Sequence, residues 1–210
     1  FHQFSAMRLK DNLVIITGRE SGSTGLIVMA WDTSGTFHWS TNLIGRTGND
    51  VEIDDSTNVY VLSSFSNQVS PTSGEDIIIY KLDSSGTQLW KKDYDFGGYD
   101  FSTRFTLVAE KLSVIGYGTT TSYFDWLTFQ INPSGQLLWN SRYNGTQMND
   151  EAPYAISAKA NGEVFVTGKG GPLYTQPNGS SYIRMVTLNY GNTGTVEWLD
   201  TNQNLSLKKI

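Results

Sequence analysis

The chain repeats one short motif, a glycine followed four residues later by a tryptophan at the end of an apolar run. It occurs at four places: Gly35 to Trp39, Gly86 to Trp90, Gly135 to Trp139 and Gly194 to Trp198. The four tryptophans are 51, 49 and 59 residues apart. Self-similarity at a fixed period of about 50 residues is the sequence signature of a repeat architecture, most often a β-propeller at this length. The spacing therefore predicts four structural repeats.

The composition predicts an all-β protein. Aromatic residues make up 13% of the chain, charged residues only 17%, and 21 residues are glycine. Glycine together with many Ser, Thr and Asn residues indicates frequent turns, and no long segment rich in Ala, Leu, Glu and Lys indicates a helix. At 210 residues the chain is long enough to bury a core and to form one domain.

Each repeat contains four strand-like segments in the same order. In the second repeat these are Asp50 to Ile53, Asn58 to Ser63, Asp76 to Leu82 and Thr87 to Trp90. The middle two are apolar at consecutive positions, which indicates burial on both faces, and the last becomes polar after its tryptophan, as an outer edge strand does. We therefore predict one β-propeller domain over residues 1–210, with four visible blades of four antiparallel strands at about 1–45, 46–96, 97–145 and 146–204.

Charge, hydropathy and cysteine content exclude several classes of protein. The formal net charge is −5 and the Lys and Arg residues form no basic stripe, so we expect no nucleic-acid partner. No apolar run approaches the roughly 18 residues that a membrane-spanning helix needs, so we expect no membrane insertion. The chain has no cysteine, which excludes disulfides and thiolate metal sites.

Three segments carry a resemblance to a known family: Asn58 to Val61, Glu163 to Gly168, and Asp76 to Trp90. They resemble the β-propeller repeats of the bacterial SBBP type, and the likeness covers nearly the whole chain. The resemblance implies a secreted or cell-surface protein, with the periplasm as an alternative location. The Gly-x-x-x-Trp ending is also similar, less closely, to the tryptophan-docking repeat of quinoprotein-like propellers.

The function expected from this class is binding or scaffolding. We expect a non-enzymatic module that engages a protein or a glycan through loops on one face. The alternatives are a fragment of a propeller enzyme, either a quinoprotein-like dehydrogenase or a glycan hydrolase, and a purely structural spacer. We predict no catalytic residue and no cofactor, because the only histidines are His2 and His38 and neither a Gly-x-Ser-x-Gly nor a His-Glu-x-x-His motif occurs.

The ends of the chain raise the question of closure. The chain begins at Phe1 without an initiator methionine, so we expect a processed protein or a piece of a larger one. A propeller closes when its last blade packs on its first, and an open array leaves two apolar faces exposed. We expect either a compact four-bladed ring or an arc that a partner chain completes, and we favour the arc.

Three aspartates form the most regular polar set. Asp50, Asp100 and Asp150 are each 50 residues apart and stand at the start of the first strand of three blades, which predicts that they line one rim of the central channel. Together with Glu151 they could hold a Ca²⁺ ion, which takes six to eight oxygen ligands. As turn caps, each would instead accept hydrogen bonds from backbone N–H groups of its own blade. We predict separate caps and no metal ion.

Aromatic residues form two further sets. Tyr123, Phe124 and Tyr174 lie in loops between the second and third strands, where aromatic side chains among small polar residues are typical of adaptable binding surfaces or anchor the loop to its blade. The other set is the repeat tryptophans: Trp39, Trp90, Trp139 and Trp198. Four rings at one repeat-equivalent position favour packing between blades over a stacking surface for a sugar or cofactor.

Overall fold

The chain folds into four antiparallel sheets in a computed structural model that describes residues 2–20, 25–66, 74–119, 123–145, 150–175 and 181–201. The first sheet contains β1 (His2–Lys10), β2 (Leu13–Glu20), β3 (Gly25–Asp32) and β4 (Phe37–Ile44). The second contains β5 (Gly48–Ile53), β6 (Val59–Ser66), β7 (Glu75–Leu82) and β8 (Gln88–Tyr94). The third contains β9 (Asp100–Val108), β10 (Lys111–Thr119), β11 (Phe124–Ile131) and β12 (Leu137–Tyr143). The fourth contains β13 (Ala152–Ala158), β14 (Val164–Thr175), β15 (Ser181–Tyr190) and β16 (Val196–Asp200).

Every sheet has its strands in chain order, each hydrogen-bonded to the next. This is the meander of a propeller blade, and the predicted all-β fold with four strands to a blade is confirmed. The sheets are called the first to fourth blades below. None of the described residues forms a helix of the length and hydrophobicity needed to cross a membrane.

The core is divided into three clusters of buried side chains, one between each pair of consecutive blades. On β6, Val59 and Val61 pack toward the first blade, while Tyr60 and Leu62 pack toward the third. Successive side chains of a strand point to opposite faces, so a strand held between two neighbours must be apolar at every position. This sandwiching explains the uninterrupted apolar runs in the sequence.

The turn between the third and fourth strands has the same geometry in every blade. Its glycine has a positive φ of 87° at Gly35, 83° at Gly86, 78° at Gly135 and 82° at Gly194. In the second blade one oxygen of the Asp83 carboxylate accepts hydrogen bonds from the backbone N–H groups of Ser85 and Thr87, at 2.9 and 3.0 Å. Glycine is favoured at the last position because a side chain is strained in the left-handed region.

Each repeat tryptophan with a following blade packs on that blade's turn. The indole N–H of Trp39 donates to the carbonyl of Ser84 at 2.8 Å, and that of Trp90 donates to the carbonyl of Pro133 at 3.2 Å. The ring of Trp139 is only 7% exposed and lies against Gly194. These rings tie each outer strand to the next blade, in addition to the core clusters.

Contacts between blades follow the chain and do not close on themselves. The innermost strands meet in sequence, β1 with β5, β5 with β9, and β9 with β13. Among the described residues, no strands of the first and fourth blades pack together as strands of consecutive blades do. The described residues thus form four consecutive blades of a partial propeller.

Two turn glycines provide a matched test of tryptophan docking. A methyl group on Gly86 would lie 2.6 Å from a ring carbon of Trp39, whereas one on Gly35 would have nothing within 4 Å. Both glycines have nearly the same positive φ, so Gly35→Ala and Gly86→Ala carry the same backbone strain. We expect Gly86→Ala to lower the free energy of unfolding by about 1–3 kcal/mol more than Gly35→Ala, the usual cost of overpacking.

Urea denaturation of the two variants, compared with the wild type, measures this difference. Equal losses of stability in the two variants would show that the packing of the Trp39 ring does not require a glycine at position 86.

Candidate functional site

A cavity of about 220 Å³ lies between the second and third blades, at the end of the seam where β6 runs out and β7 begins. Its wall is formed by charged, hydroxyl, amide and aromatic side chains: Arg46, Thr47, Asn49, Ser64, Glu75, Phe101, Ser102 and Tyr117. Glu75 belongs to the second blade, Arg46 lies in the link between the first and second blades, and the third blade supplies both rings. Apolar strands thus place a polar pocket with an aromatic side at the seam between two blades.

Glu75 is the most unusual residue of this wall because its carboxylate is buried and only half satisfied. The residue is 4% exposed, and one oxygen forms an ion pair of 2.8 Å with the guanidinium of Arg46. Its other oxygen, Oε2, is buried without a hydrogen-bond partner among the described residues. Burial raises the pKa of Glu75, while the charge of Arg46 lowers it. A buried acceptor without a donor is costly, so this oxygen is set up to accept a hydrogen bond from a bound group.

A network of short hydrogen bonds holds the polar side of the wall in place. The backbone N–H of Ser102 donates to Ser64 Oγ at 2.8 Å, and the two serine hydroxyls are 2.9 Å apart. The side-chain amide of Asn49 donates to Ser102 Oγ at 2.7 Å and to its carbonyl at 3.0 Å. Because these bonds cross from the second blade to the third, they fix the two halves of the pocket relative to each other.

The aromatic side of the cavity is a packed cluster. Phe101 and Tyr117 are direct partners across β9 and β10, and their rings stack with centroids 5.3 Å apart. Phe124 meets both rings edge-on, at 5.9 Å and 5.2 Å. The pairing of β9 with β10 therefore brings these two rings together, and Phe124 on β11 packs against both of them.

The three loop aromatics singled out in the sequence have different surroundings. Phe124 is half-buried in the cluster behind the cavity, and Tyr123 beside it is 38% exposed. Tyr174 lies in β14 opposite Tyr182, and its side chain is outside the described part of the structure. The residues that line the cavity, above all Arg46, Glu75, Phe101 and Tyr117, were not among the sequence-predicted site residues.

A second, larger cavity of about 570 Å³ lies among the innermost strands β1, β5, β9 and β13. Its charged lining consists of Arg8, Asp50, Glu52 and Arg104, and Asn49 borders both cavities. Arg8 forms an ion pair of 2.6 Å with Glu52. Burial raises the pKa of Glu52 to about 7, against the opposing effect of the Arg8 charge.

The equal spacing of Asp50, Asp100 and Asp150 does not place them at equivalent positions. Asp50 is within β5 opposite Leu62, Asp100 is the first residue of β9, and Asp150 precedes β13. The connections that lead into the first strands differ in length: residues 45–47 join β4 to β5, whereas residues 95–99 join β8 to β9. Residues that are 50 apart in the sequence therefore occupy different positions along the first strands of successive blades. The expectation that the three aspartates line one rim was wrong.

All three aspartates accept hydrogen bonds from backbone N–H groups, but not all within their own blade. Asp50 accepts from Val51 at 2.9 Å and, across the blade boundary, from Phe105 at 3.1 Å. Asp100 accepts from Phe96 at 2.6 Å. Asp150, ahead of the fourth blade, accepts from Phe124 of the third at 3.2 Å. Two of the carboxylates thus link neighbouring blades, which the turn-cap interpretation does not include.

Among the described residues, the acidic side chains that converge closely enough to hold a metal ion are a different set, Asp76, Asp95 and Asp100. One carboxylate oxygen from each lies within 4.8 Å of the others. A cation is already present, because the guanidinium of Arg142 is 3.8 Å from Asp100 and 3.5 Å from Asp125. Arg142 also donates to the carbonyl of Gly118 at 2.9 Å, which holds it at this position.

Comparison with known proteins gives the fold but no family. No protein-family model matches the chain, and no curated protein matches it. A Bacteroides caccae protein of unknown function aligns over 94% of this chain and 81% of its own, with a TM-score of 0.50 and 14% identity. Kuenenia stuttgartiensis hydrazine synthase aligns over 76% of this chain with a TM-score of 0.55 and 11% identity. A mutant of Synechocystis apocarotenoid oxygenase aligns over 93% of this chain with a TM-score of 0.52 and 10% identity.

These propeller-like neighbours support the fold alone, because identities this low carry no information about activity. The chain spans about half the length of the hydrazine synthase and oxygenase chains, 49% and 48%. Their chemistry is therefore not transferred to this protein.

The raised pKa of Glu52 predicts a pH dependence of stability. A glutamate in water has a pKa of 4.5, and burial raises the pKa of Glu52 to about 7 in the folded protein. The folded state therefore binds the proton more tightly, so the contribution of Glu52 to stability is present below pH 4.5 and is lost as the pH rises through about 7. Aspartates with a lowered pKa, such as Asp54 and Asp83, act in the opposite direction and only near and below the ordinary aspartate pKa of 3.8.

We expect the melting temperature of the wild type to fall as the pH is raised from about 5 to about 7.5, and Glu52→Gln to fall less steeply. Scanning calorimetry over this range measures both slopes. Parallel curves for the two proteins would contradict the assignment of this titration to Glu52.

The position of Arg142 predicts that the Asp76–Asp95–Asp100 cluster needs no metal ion. Because the guanidinium already balances Asp100, we expect neither Ca²⁺ nor a chelator to change the melting temperature. Thermal scans with millimolar CaCl₂ or EDTA test this. A Ca²⁺-dependent rise that Asp95→Asn abolishes would show that the cluster binds the ion.

Proposed function

We propose that the protein is a non-enzymatic binding module of a secreted or cell-surface protein, and that it binds a glycan in the cavity between the second and third blades. The observation that carries the proposal is Oε2 of Glu75, which is buried in the wall of that cavity and has no hydrogen-bond partner among the described residues. The location rests on the resemblance to SBBP-type repeats.

The donors and acceptors of the cavity suit a sugar. A carboxylate accepts hydrogen bonds from hydroxyl groups, and a guanidinium donates to ring and hydroxyl oxygens. Glu75 and Arg46 offer this combination 2.8 Å apart. The stacked rings of Phe101 and Tyr117 supply an apolar surface for the C–H face of a sugar ring. The volume of about 220 Å³ is below that of typical drug-sized sites, which suits one sugar unit of a longer glycan.

The composition of the wall favours binding over hydrolysis. Glycoside hydrolysis ordinarily needs two carboxylic acids facing each other across the scissile bond. Of the described residues that line this cavity, Glu75 alone carries a carboxylate. A glycan held here would therefore meet one carboxylate and one fixed positive charge, which is sufficient for recognition.

A glycan microarray followed by calorimetric titration of the best binders tests the proposal. We expect saturable binding that Glu75→Gln weakens at least tenfold, because a hydrogen bond to a charged acceptor contributes about 1.5–3 kcal/mol. Tyr117→Ala should weaken binding as well by removing the stacking surface. Glu163→Gln, an exposed carboxylate paired with Lys159 in the fourth blade, is the matched control and should bind normally.

Circular dichroism of each variant separates loss of binding from loss of fold. The proposal fails if no glycan binds saturably, or if folded Glu75→Gln binds as tightly as the wild type.

A further inference from the structure

Trp198 of the fourth blade, unlike the three preceding repeat tryptophans, packs on no turn of another blade among the described residues. Trp139 is 7% exposed, whereas Trp198 at the equivalent position is 45% exposed. Its ring contacts Phe165 of its own blade at a centroid distance of 6.2 Å. The carbonyl acceptors that Trp39 and Trp90 use, and the glycine surface that Trp39 and Trp139 cover, belong to the following blade in each case.

In the first blade the equivalent turn, at Gly35, is not covered by a tryptophan ring among the described residues. The space above Gly35 is open to 4 Å, whereas a methyl group on Gly86 or on Gly194 would lie only 2.6 Å from the tryptophan ring that covers it. The turn is otherwise complete, since the Gly35 N–H donates to the Asp32 carbonyl at 3.0 Å as Gly86 does to Asp83. Among the described residues, the fourth blade therefore carries an undocked ring and the first blade carries an uncovered docking turn.

The broad faces of the two end blades match this arrangement. In the first blade, side chains that alternate with the first core cluster point away from the second blade. Val14, Ile16 and Met29 are partly exposed there, whereas Ile27 is only 4% exposed. On β1, Met7 is 64% and Leu9 57% exposed. The open face of the fourth blade carries Phe165, the half-exposed Met185 and Trp198, with Thr167, Thr187 and Asn189 beside them.

We propose that the fourth blade of one copy docks on the first blade of a second copy, head to tail, with Trp198 on the turn from Asp32 to Gly35. In this interface the indole N–H of Trp198 donates to the carbonyl of Thr33, as that of Trp39 donates to the carbonyl of Ser84. The contact repeats the boundary between consecutive blades, which the protein already makes three times within one chain.

A second copy is the occupant because one chain carries both complementary halves of the interface. Such a head-to-tail contact is heterologous: two copies form a closed ring if the rotation allows it, and otherwise further copies add in a row. Either product joins the fourth blade to a first blade, and neither involves the glycan cavity between the second and third blades.

Light scattering and sedimentation of the wild type over a range of protein concentrations test the association. We expect dimers or longer assemblies of the wild type, and at least a tenfold increase in the dissociation constant for Trp198→Ala and for Gly35→Ala. Trp198→Ala removes a half-exposed ring, whereas Gly35→Ala adds the backbone strain of a left-handed residue, so circular dichroism of both variants confirms that they are folded before their association is compared. Leu138→Ala is the control, because Leu138 is as exposed as Trp198 but adjoins a tryptophan that is already docked.

Cysteine cross-linking tests the orientation on a background that contains no native cysteine. Thr33→Cys and Asp200→Cys proteins should be joined by a short bismaleimide only when the two are mixed. Cross-links within either protein alone would indicate a two-fold symmetric contact and overturn the proposal. A wild type that stays monomeric at every concentration, or Trp198→Ala that associates as the wild type does, would also overturn it, whereas Glu75→Gln should associate normally whether or not the glycan proposal holds.

Discussion

The structure depends on one repeated contact, in which an indole ring of an outer strand lies on the left-handed glycine turn of the next blade. The turn must be bare, because a methyl group on Gly86 would meet Trp39 at 2.6 Å. A single blade with apolar residues on its faces cannot bury them alone, so each blade needs its neighbours. The ring and the core cluster beneath it supply that contact, which is why the glycine and the tryptophan recur together.

The same boundaries explain where a ligand can bind. The middle of the seam between the second and third blades is apolar and closed, with residues such as Leu62 and Phe129 fully buried. Toward the end of the seam the side chains become polar, and Ser64, Ser102 and Asn49 replace packing by hydrogen bonds. Polar groups that pair with one another leave space between blades, and clefts between packed units are common binding sites. Glu75 is left with one unpaired oxygen at this point.

Much of the fold could be predicted from the sequence because the same motif recurs at nearly regular intervals, which reveals the length of one structural repeat. The Gly-x-x-x-Trp spacing and the double-sided apolar strands gave the number of strands and their order. The position of an individual residue along its strand could not be predicted in this way. Asp50 and Asp100 are 50 residues apart, yet Asp50 pairs with Leu62 near the middle of β6 and Asp100 with Gly118 near the end of β10, because the connections between strands differ in length from blade to blade. The cavity was missed for a related reason: Arg46, Glu75 and Tyr117 come from separate elements, and only the packing of two blades brings them together.

The first and fourth of the described blades lack the polar outer face that terminal repeats of a solenoid normally present. The outer face of the first blade carries the exposed Met7 and Leu9, and the fourth blade carries the half-exposed indole of Trp198. Stability in such an array is close to a sum over neighbouring interfaces, so one more interface of the same kind requires no new element. The protein contains a free copy of each half of that interface, Trp198 at one end and the turn at Gly35 at the other. The contact that joins consecutive blades within one chain can therefore also form between two chains. Because its two halves differ, such chains would associate head to tail.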